Sequence, residues 1–471
     1  MKNKIILLSL LSLLTLTGCS DRDAYEVPEF HINTVEDLLD GSSIFSNRDL
    51  RTYDEIDQSD ITYINLDGPG LEITQEGIYE LSGNINNGQI VINATSSDKI
   101  QLILNNLTIT NDECAIYVYK ADKVFITLKD DSINTLTSTN LTDDIDGVIY
   151  SKDDITFNGY GTLNINSSIH GIVGNDDVVL AQGIYNITST KRGIDANDSI
   201  RINDGTYNIT SGKDAIKADE DDELKGFIYV NDGTFNINSL EDGFAASNVL
   251  EIMNGDFNIT TGGGFDEVLN DLTVGEGSGG VTQPTDLLTY TMQSIRTNGL
   301  IIRDGTFDFS SYEDCIHSNG NLLIEGGNIT LLSGDDALHA DDCMLITGGT
   351  INITNCYEGI EADFITITDG NIKVIGYDDG INVGSDEGVL TISGGTIYVS
   401  TKGDCIDSNG DFVMTGGNVT LFSEAIYTMG DYAIDVSGVV TFTGGTIVDE
   451  NGDDIDPTKS NSTSNSRPGR F

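Results

Sequence analysis

The sequence has no tryptophan, only five prolines in 471 residues, and 23 lysines and arginines against 76 aspartates and glutamates. Its formal net charge is −53. Such a polyanion repels nucleic acid and bare anionic lipid, which excludes both as partners. Beyond residue 19 no apolar run is long enough to cross a bilayer. Helical periodicity is missing from most of the chain, so helical repeats do not fit. The six cysteines show no framework of paired spacings. Cys315 and Cys405 take one repeat position four coils apart, roughly 19 Å at about 4.8 Å per coil, beyond disulfide reach. Cys114, Cys343 and Cys356 have no matching partner position.

The N-terminus reads as an export signal. Lys2 and Lys4 precede an apolar run from Ile5 to Leu14, and Leu16-Thr17-Gly18-Cys19 follows. This ending predicts cleavage after Gly18 and a lipid-carrying thiol at Cys19. The run is too short for a comfortable transmembrane helix, which is the alternative. Losing Lys2 and Lys4 takes the formal charge from −53 to −55. Ser20 is not the aspartate that retains lipoproteins at an inner membrane, so an outer-membrane or cell-surface anchor is expected.

What the sequence does have is a repeat. Gly161, Gly183 and Gly205, then Gly305, Gly327 and Gly349, recur every 22 residues, each ahead of a short alternating strand such as Thr206-Tyr207-Asn208-Ile209-Thr210. A 22-residue period built from β-branched strands and Gly/Asn/Asp turns predicts an all-β, single-stranded, right-handed parallel β-helix. The expected organisation is a signal over 1–18 and an acidic tether over 19–60 that covers the first coil. The β-helix follows over 61–450, with an excursion at 261–298, and a disordered tail occupies 451–471. Within the tether, Thr34 is placed to cap a short helix at Val35 to Leu39.

After the polar turn of each unit comes an acid, and three residues later a second variable position. The units read Asp214 with Lys217, Asp242 with Ala245, Asp314 with His317, Asp336 with His339, Glu358 with Glu361, Asp379 with Asn382, and Asp404 with Asp407. Stacking turns these into two columns, both expected to face outward. Carboxylates about 4.8 Å apart repel by roughly 3.5 kcal/mol at an effective dielectric near 20. One account is that each acid caps its own turn through hydrogen bonds. The other is that a cation binds, and it is favoured where the second column is itself acidic or amide-bearing. Asp336, Glu358, Glu361, Asp378, Asp379, Asn382, Asp404 and Asp407 are hard oxygen donors suited to Ca²⁺. Zinc is disfavoured, since His317 and His339 have Asp336 near them but no thiolate or third histidine.

Several runs carry a family likeness: Gly77-Ile78-Tyr79-Glu80-Leu81-Ser82-Gly83, Asp335-Asp336-Ala337-Leu338-His339-Ala340, Tyr357-Glu358-Gly359-Ile360-Glu361-Ala362 and Gly403-Asp404-Cys405-Ile406-Asp407-Ser408. In order and composition the chain from about Ile61 to Val448 resembles the bacterial carbohydrate-binding β-helix family. A clostridial member of that family is associated with cellulose and acidic-sugar binding. The resemblance implies a calcium-bearing β-helix, related in architecture to pectate lyases, that binds polygalacturonate-like glycan without established cleavage. Tyr432 stands where that pattern has an aspartate, so the metal column is not extended there. The expectation is a monomeric, non-catalytic surface module in which calcium bridges protein and sugar carboxylates. Tyr357, Tyr377, His317 and His339 are its candidate glycan contacts. The alternatives are a calcium-dependent lyase using Lys217 or Lys402 as base, and a structural adhesin.

Overall fold

Each repeat starts at a turn that only glycine accommodates. Gly205 has φ near +132°, and a Cβ there would meet the carbonyl oxygen of Gly183, one repeat earlier, at 3.0 Å. Three short strands follow, in this unit Thr206–Ser211, Ile216–Ala218 and Phe227–Val230. Each lies parallel to its equivalent in the preceding repeat, with Asn186 beside Asn208, Ile194 beside Ile216 and Ile200 beside Ile228. The computed structural model describes residues 28–68, 70–265, 291–423 and 433–459. Within them 39 strands, from Ile61 to Asp449, form one parallel sheet arranged in three rows. Among the described residues no helix is long and apolar enough to cross a membrane. The signal segment, Cys19 and Tyr432 lie outside them.

Parallel stacking sets like over like. On the inner side of one row Tyr185, Tyr207, Phe235, Phe257 and Phe307 form a continuous stack, with ring centroids 4.6 to 5.1 Å apart and interplanar angles of 3° to 8°. On the outer side of the same strands the asparagine amides form a ladder. Asn186 donates to Asn164 at 2.8 Å, Asn208 to Asn186 at 2.8 Å, and Asn236 to Asn208 at 2.9 Å. Cys114, Cys315, Cys343, Cys356 and Cys405 are all buried free thiols.

Three expected boundaries need correction. Thr261 closes the strand Asp256–Thr261, and Ile295–Ile302 is a strand, so the excursion is shorter at both ends than 261–298. Residues 451–459 are not an unstructured tail: Asp454 bridges to Val448, and Pro457–Lys459 is a 3-10 turn with Pro457 buried. The acidic turn at Asp449, which accepts the backbone N–H groups of Asn451 and Asp453, folds the chain back onto the last coil.

The third correction concerns the segment before Ile61, of which only the end about Tyr53 and Ile56 covers the first coils. It runs lengthwise as a strap along one row. His31 accepts from Asn321 at 2.9 Å, and the backbone N–H of Val35 donates to Glu251 at 2.9 Å. Val35 and Leu38, in a helix capped by Thr34, pack on Phe227, Tyr229 and Val249. The carbonyl of Ile44 accepts from Arg201 at 3.1 Å, and the Arg48 guanidinium lies 4.4 Å from the Phe125 ring centroid. Asp49 takes the Thr156 hydroxyl at 2.7 Å and the Lys123 ammonium at 2.9 Å. Ile56 finally packs against Ile61 and Ile103 at the first coils. The physical reason lies in that row's outward positions. Phe125 and Tyr229 offer ring surface to cover, and Arg201 and Glu251 pair with the strap's backbone, whereas Thr366, Thr391 and Thr441 in later coils can face water.

Asp49 is the strap's electrostatic fastening, 3% exposed against a Lys123 side chain that is 14% exposed. Burial works against its charge, but Lys123 and Ser46 overcome that and hold its carboxyl down at about 2. Replacing Asp49 with Ala leaves a shielded ammonium alone, which costs about 3 kcal/mol. Urea unfolding should report that loss, with limited proteolysis cutting first within residues 28–60. An unchanged midpoint and cleavage pattern would contradict the fastening.

Candidate functional site

The row that runs directly into the strap-covered row, within strands such as Phe244–Ile252, carries the two columns, and their geometry differs from expectation in one respect. Only the second column faces outward. The first is tucked beneath it: Asp214, Asp242, Asp314, Asp336 and Asp404 are 1% to 7% exposed. The reason is a hydrogen bond that links coils. An oxygen of Asp214 accepts the backbone N–H of Asp242, Asp242 that of Gln293, Asp314 that of Asp336, and Asp379 that of Asp404, at 2.8 to 3.3 Å. The expected capping of each acid's own turn is thereby corrected for Asp214, Asp242, Asp314 and Asp379. Each of them caps the neighbouring coil's turn.

The second oxygen distinguishes the coils. In the N-terminal half it meets a cation or a donor. Asp214 faces Arg192 at 3.3 Å and Lys217 at 3.8 Å, while Asp242 faces Thr291 at 2.8 Å and Arg296 at 3.9 Å. The next two coils use histidine, with His317 Nδ1 2.7 Å from Asp314 and His339 Nδ1 2.8 Å from Asp336. Beyond these coils the pattern stops. Among the described residues no lysine, arginine or histidine pairs with Glu358, Asp378 or Asp379.

What holds these acids instead is a set of neutral contacts. Asn382 donates to Glu358 at 2.7 Å and to Glu361 at 3.3 Å, bridging two carboxylates of the neighbouring coil. The Tyr357 hydroxyl donates to Asp378 at 2.7 Å. Gly403 lies so close to this pair that a Cβ would sit 2.7 Å from an oxygen of Asp378 and of Asp379. Its lack of a side chain is what lets both carboxylates converge on the Asp404 turn. Glu361 also lies 3.6 Å from His339, so Asp336, His339 and Glu361 form one small group and Glu358, Asn382, Asp378 and Asp379 another beside it. Asp404 and Asp407 occupy the next coil in register.

The electrostatic consequence is large. Burial, with Glu361 and Asp378 nearby, pushes the Glu358 carboxyl up to about 7. Burial, with Asp407, Asp378 and Asp404 nearby, pushes Asp379 up to about 8, although the Asp404 amide pulls the other way. Asp335 is raised to about 7 and Asp336 well above its ordinary value, again by burial first and by neighbouring acids second. The donor set is all oxygen apart from His339, which suits a hard cation of flexible coordination rather than a compact octahedral one.

The remaining expected residues fall as follows. Tyr357 and Tyr377 lie with centroids 6.3 Å apart, and Tyr377 is 58% exposed beside the acids. Lys402 rests over the Tyr377 ring at 4.5 Å. His317 and His339 stack face to face at 4.5 Å, with their edges on carboxylates, so they stand as partners of the acids rather than as an open platform. Lys217 is tied to Asp219 at 2.8 Å and lies five coils from Glu361, about 24 Å away. Sequence spacing missed Asp341, which faces both histidine Nε2 atoms at 3.4 and 3.3 Å. Its signal was only its place two residues after His339, on the same strand face.

Raised carboxyl pKa values carry a definite sign. In metal-free protein the folded state keeps protons on Glu358 and Asp379 up to about 7 and 8, while the unfolded chain releases them near 4. Stability therefore falls as pH rises from about 4 to about 8, and the loss is complete above the folded values. The melting temperature of chelator-treated protein should drop by several degrees over that window, and Ca²⁺ should restore it most at the alkaline end. A flat profile, or equal calcium shifts at pH 5 and pH 8, would contradict this electrostatic account.

A family model described as carbohydrate-binding domain-containing protein matches residues 67–337 and 335–465. A carbohydrate-binding domain-containing protein of Acetivibrio thermocellus is 30% identical over 166 residues, covering 34% of this chain and 54% of that relative. The match thus spans about half the length of the curated relative. A solved structure described as the polysaccharide lyase-like protein from C. thermocellum, gadolinium derivative, is 30% identical, covers 43% of this chain and 91% of that one, and has a TM-score of 0.41. With the family model matched across both halves of the sheet, this chain belongs to the carbohydrate-binding domain-containing protein family.

Proposed function

We propose that the chain is a lipid-anchored, right-handed parallel β-helix that binds acidic, polygalacturonate-like polysaccharide through calcium on the coils of Glu358, Asp379 and Asp404. The observation that carries this reading is the change of counterion along one column. Arg192, Lys217 and Arg296 serve the acids of the N-terminal coils. No lysine or arginine among the described residues pairs with Glu358, Asp378 or Asp379, although the carboxylates are denser there. A cation from solution would complete the pattern.

Glu358, Glu361, Asp378, Asp379, Asp404 and Asp407 would hold the ion, with Asn382 able to turn its amide oxygen toward it and Asp336 at the edge of the group. Bound calcium would reverse the local field and let uronate carboxylates approach a surface that otherwise repels them. Tyr377, exposed beside the acids, offers a ring face to the sugar. A lyase would need a base near the ion. Lys217 is five coils away, and Lys402 lies over the Tyr377 ring, so the binding reading is the stronger one.

The anchor belongs to the same proposal, because a diacylglycerol thioether on Cys19 would hold a monomeric module at the outer membrane or cell surface. Intact mass of membrane-extracted protein should show acylated Cys19, and Cys19→Ala should release the protein. An unmodified thiol at Cys19 sinks the anchor.

Binding to immobilised polygalacturonate should require Ca²⁺ and vanish with chelator. Glu361→Ala and Asp407→Ala should each weaken it by at least about ten-fold while the circular dichroism of the sheet is unchanged. Neutral glucans should respond far less to the metal. Calcium-independent binding to acidic glycan would overturn the bridging mechanism, and ultraviolet-absorbing unsaturated ends lost in Lys402→Ala would convert it to a lyase.

A further inference from the structure

His317 and His339 occupy one outward position on adjacent coils, in register, with parallel rings 4.5 Å apart. Each turns Nδ1 inward onto the acid three residues earlier, Asp314 at 2.7 Å and Asp336 at 2.8 Å. Both acids are 7% exposed. With the acid ionised and the ring neutral, the ring proton sits on Nδ1 and the Nε2 lone pair points outward, open to a ligand. Both Nε2 atoms then face a single oxygen, Oδ1 of Asp341, at 3.4 and 3.3 Å. Two lone pairs and an anionic oxygen converge there, an arrangement that repels itself until something positive enters.

The distances suit a metal ion. Around a tetrahedral ion with ligand bonds of about 2.0 to 2.1 Å, neighbouring donor atoms lie roughly 3.3 Å apart. The surroundings suit one as well, because a ligating histidine characteristically donates its other ring N–H to a carboxylate that fixes its tautomer. Here two buried aspartates do this for two rings. Imidazole donors select borderline transition ions over calcium and magnesium.

We propose that His317, His339 and Asp341 form a site for a divalent transition ion of the zinc and copper class, on the Nε2 side of the rings and adjoining the calcium group at His339. The two histidine side chains are 19% and 23% exposed and Asp341 is 50% exposed, so the ion has a path in and keeps an outer position for water or a ligand. Closing both Nε2 atoms on one ion requires the rings to tilt together out of their parallel stack. This is a side-chain motion at an exposed edge. Asp341 supplies the third ligand that the two-column reading of the sequence lacked. The inference does not depend on glycan binding or on calcium.

The test uses the full chain saturated with Ca²⁺, titrated with Zn²⁺ against a chromophoric chelator and with Cu²⁺ under electron paramagnetic resonance. One equivalent should bind, with superhyperfine splitting from two nitrogens in the wild type and one in His317→Gln. Asp341→Asn should lower Zn²⁺ affinity at least about ten-fold while the calcium-induced melting shift is retained, and His339→Gln should lower it as much with the circular dichroism of the sheet unchanged. Zn²⁺ affinity unchanged in the double variant His317→Gln/His339→Gln would overturn the site. So would a copper spectrum without nitrogen splitting, the result expected if the rings are an imidazolium pair neutralising Asp341.

Discussion

A parallel coil sets every residue above its own equivalent at a spacing of about 4.8 Å, and the rest of this molecule follows from that constraint. Aromatic over aromatic gives the Tyr185 to Phe307 stack, and amide over amide gives the ladder from Asn164 to Asn236. Carboxylate over carboxylate gives repulsion, which the fold has to manage coil by coil. One oxygen is handled uniformly, by the backbone N–H of the next coil at Asp214, Asp314 and Asp379. The other oxygen is where the coils diverge, and that divergence carries the functional reading.

Along one column the counterion passes from arginine and lysine at Asp214, through a pair of histidines, to the neutral amide of Asn382 at Glu358. The first part is an internally satisfied surface. The last is a set of half-buried acids that resist ionisation because burial and their neighbours both oppose it. A polyanionic protein of formal charge −53 has no shortage of carboxylates, so their number says little about a site. The withdrawal of the built-in cations is the informative event.

How far the sequence could be read depended on whether the determining contacts repeat. The glycine period, the strands around Asn186 and Asn208, the buried free cysteines and the Thr34 cap are local or periodic, and all were readable. The acidic columns were readable in position but not in depth, because the Asp336 amide of the next coil, which draws Asp314 inward, is invisible in a single repeat. The strap was missed because its contacts join residues more than a hundred positions apart, such as Asp49 with Thr156. A signal did exist: Gln101-Leu102-Ile103-Leu104 and Val124-Phe125-Ile126 are buried on both sides, the pattern of strands covered twice. Asp341 was missed for a simpler reason. It lies in neither column, and only the pairing of two coils brings it between two rings.

The central claim is that the coils of Glu358, Asp379 and Asp404 need an external cation at neutral pH. Calorimetric titration of metal-stripped protein with Ca²⁺ at pH 7.5, repeated on Asp379→Asn, tests it most directly. The account predicts saturable binding with proton release in the wild type, as Asp379 and Glu358 give up protons held at about 8 and 7, and loss of most of that release in the variant. An absence of heat in the wild type, or binding unaltered by Asp379→Asn, would contradict it.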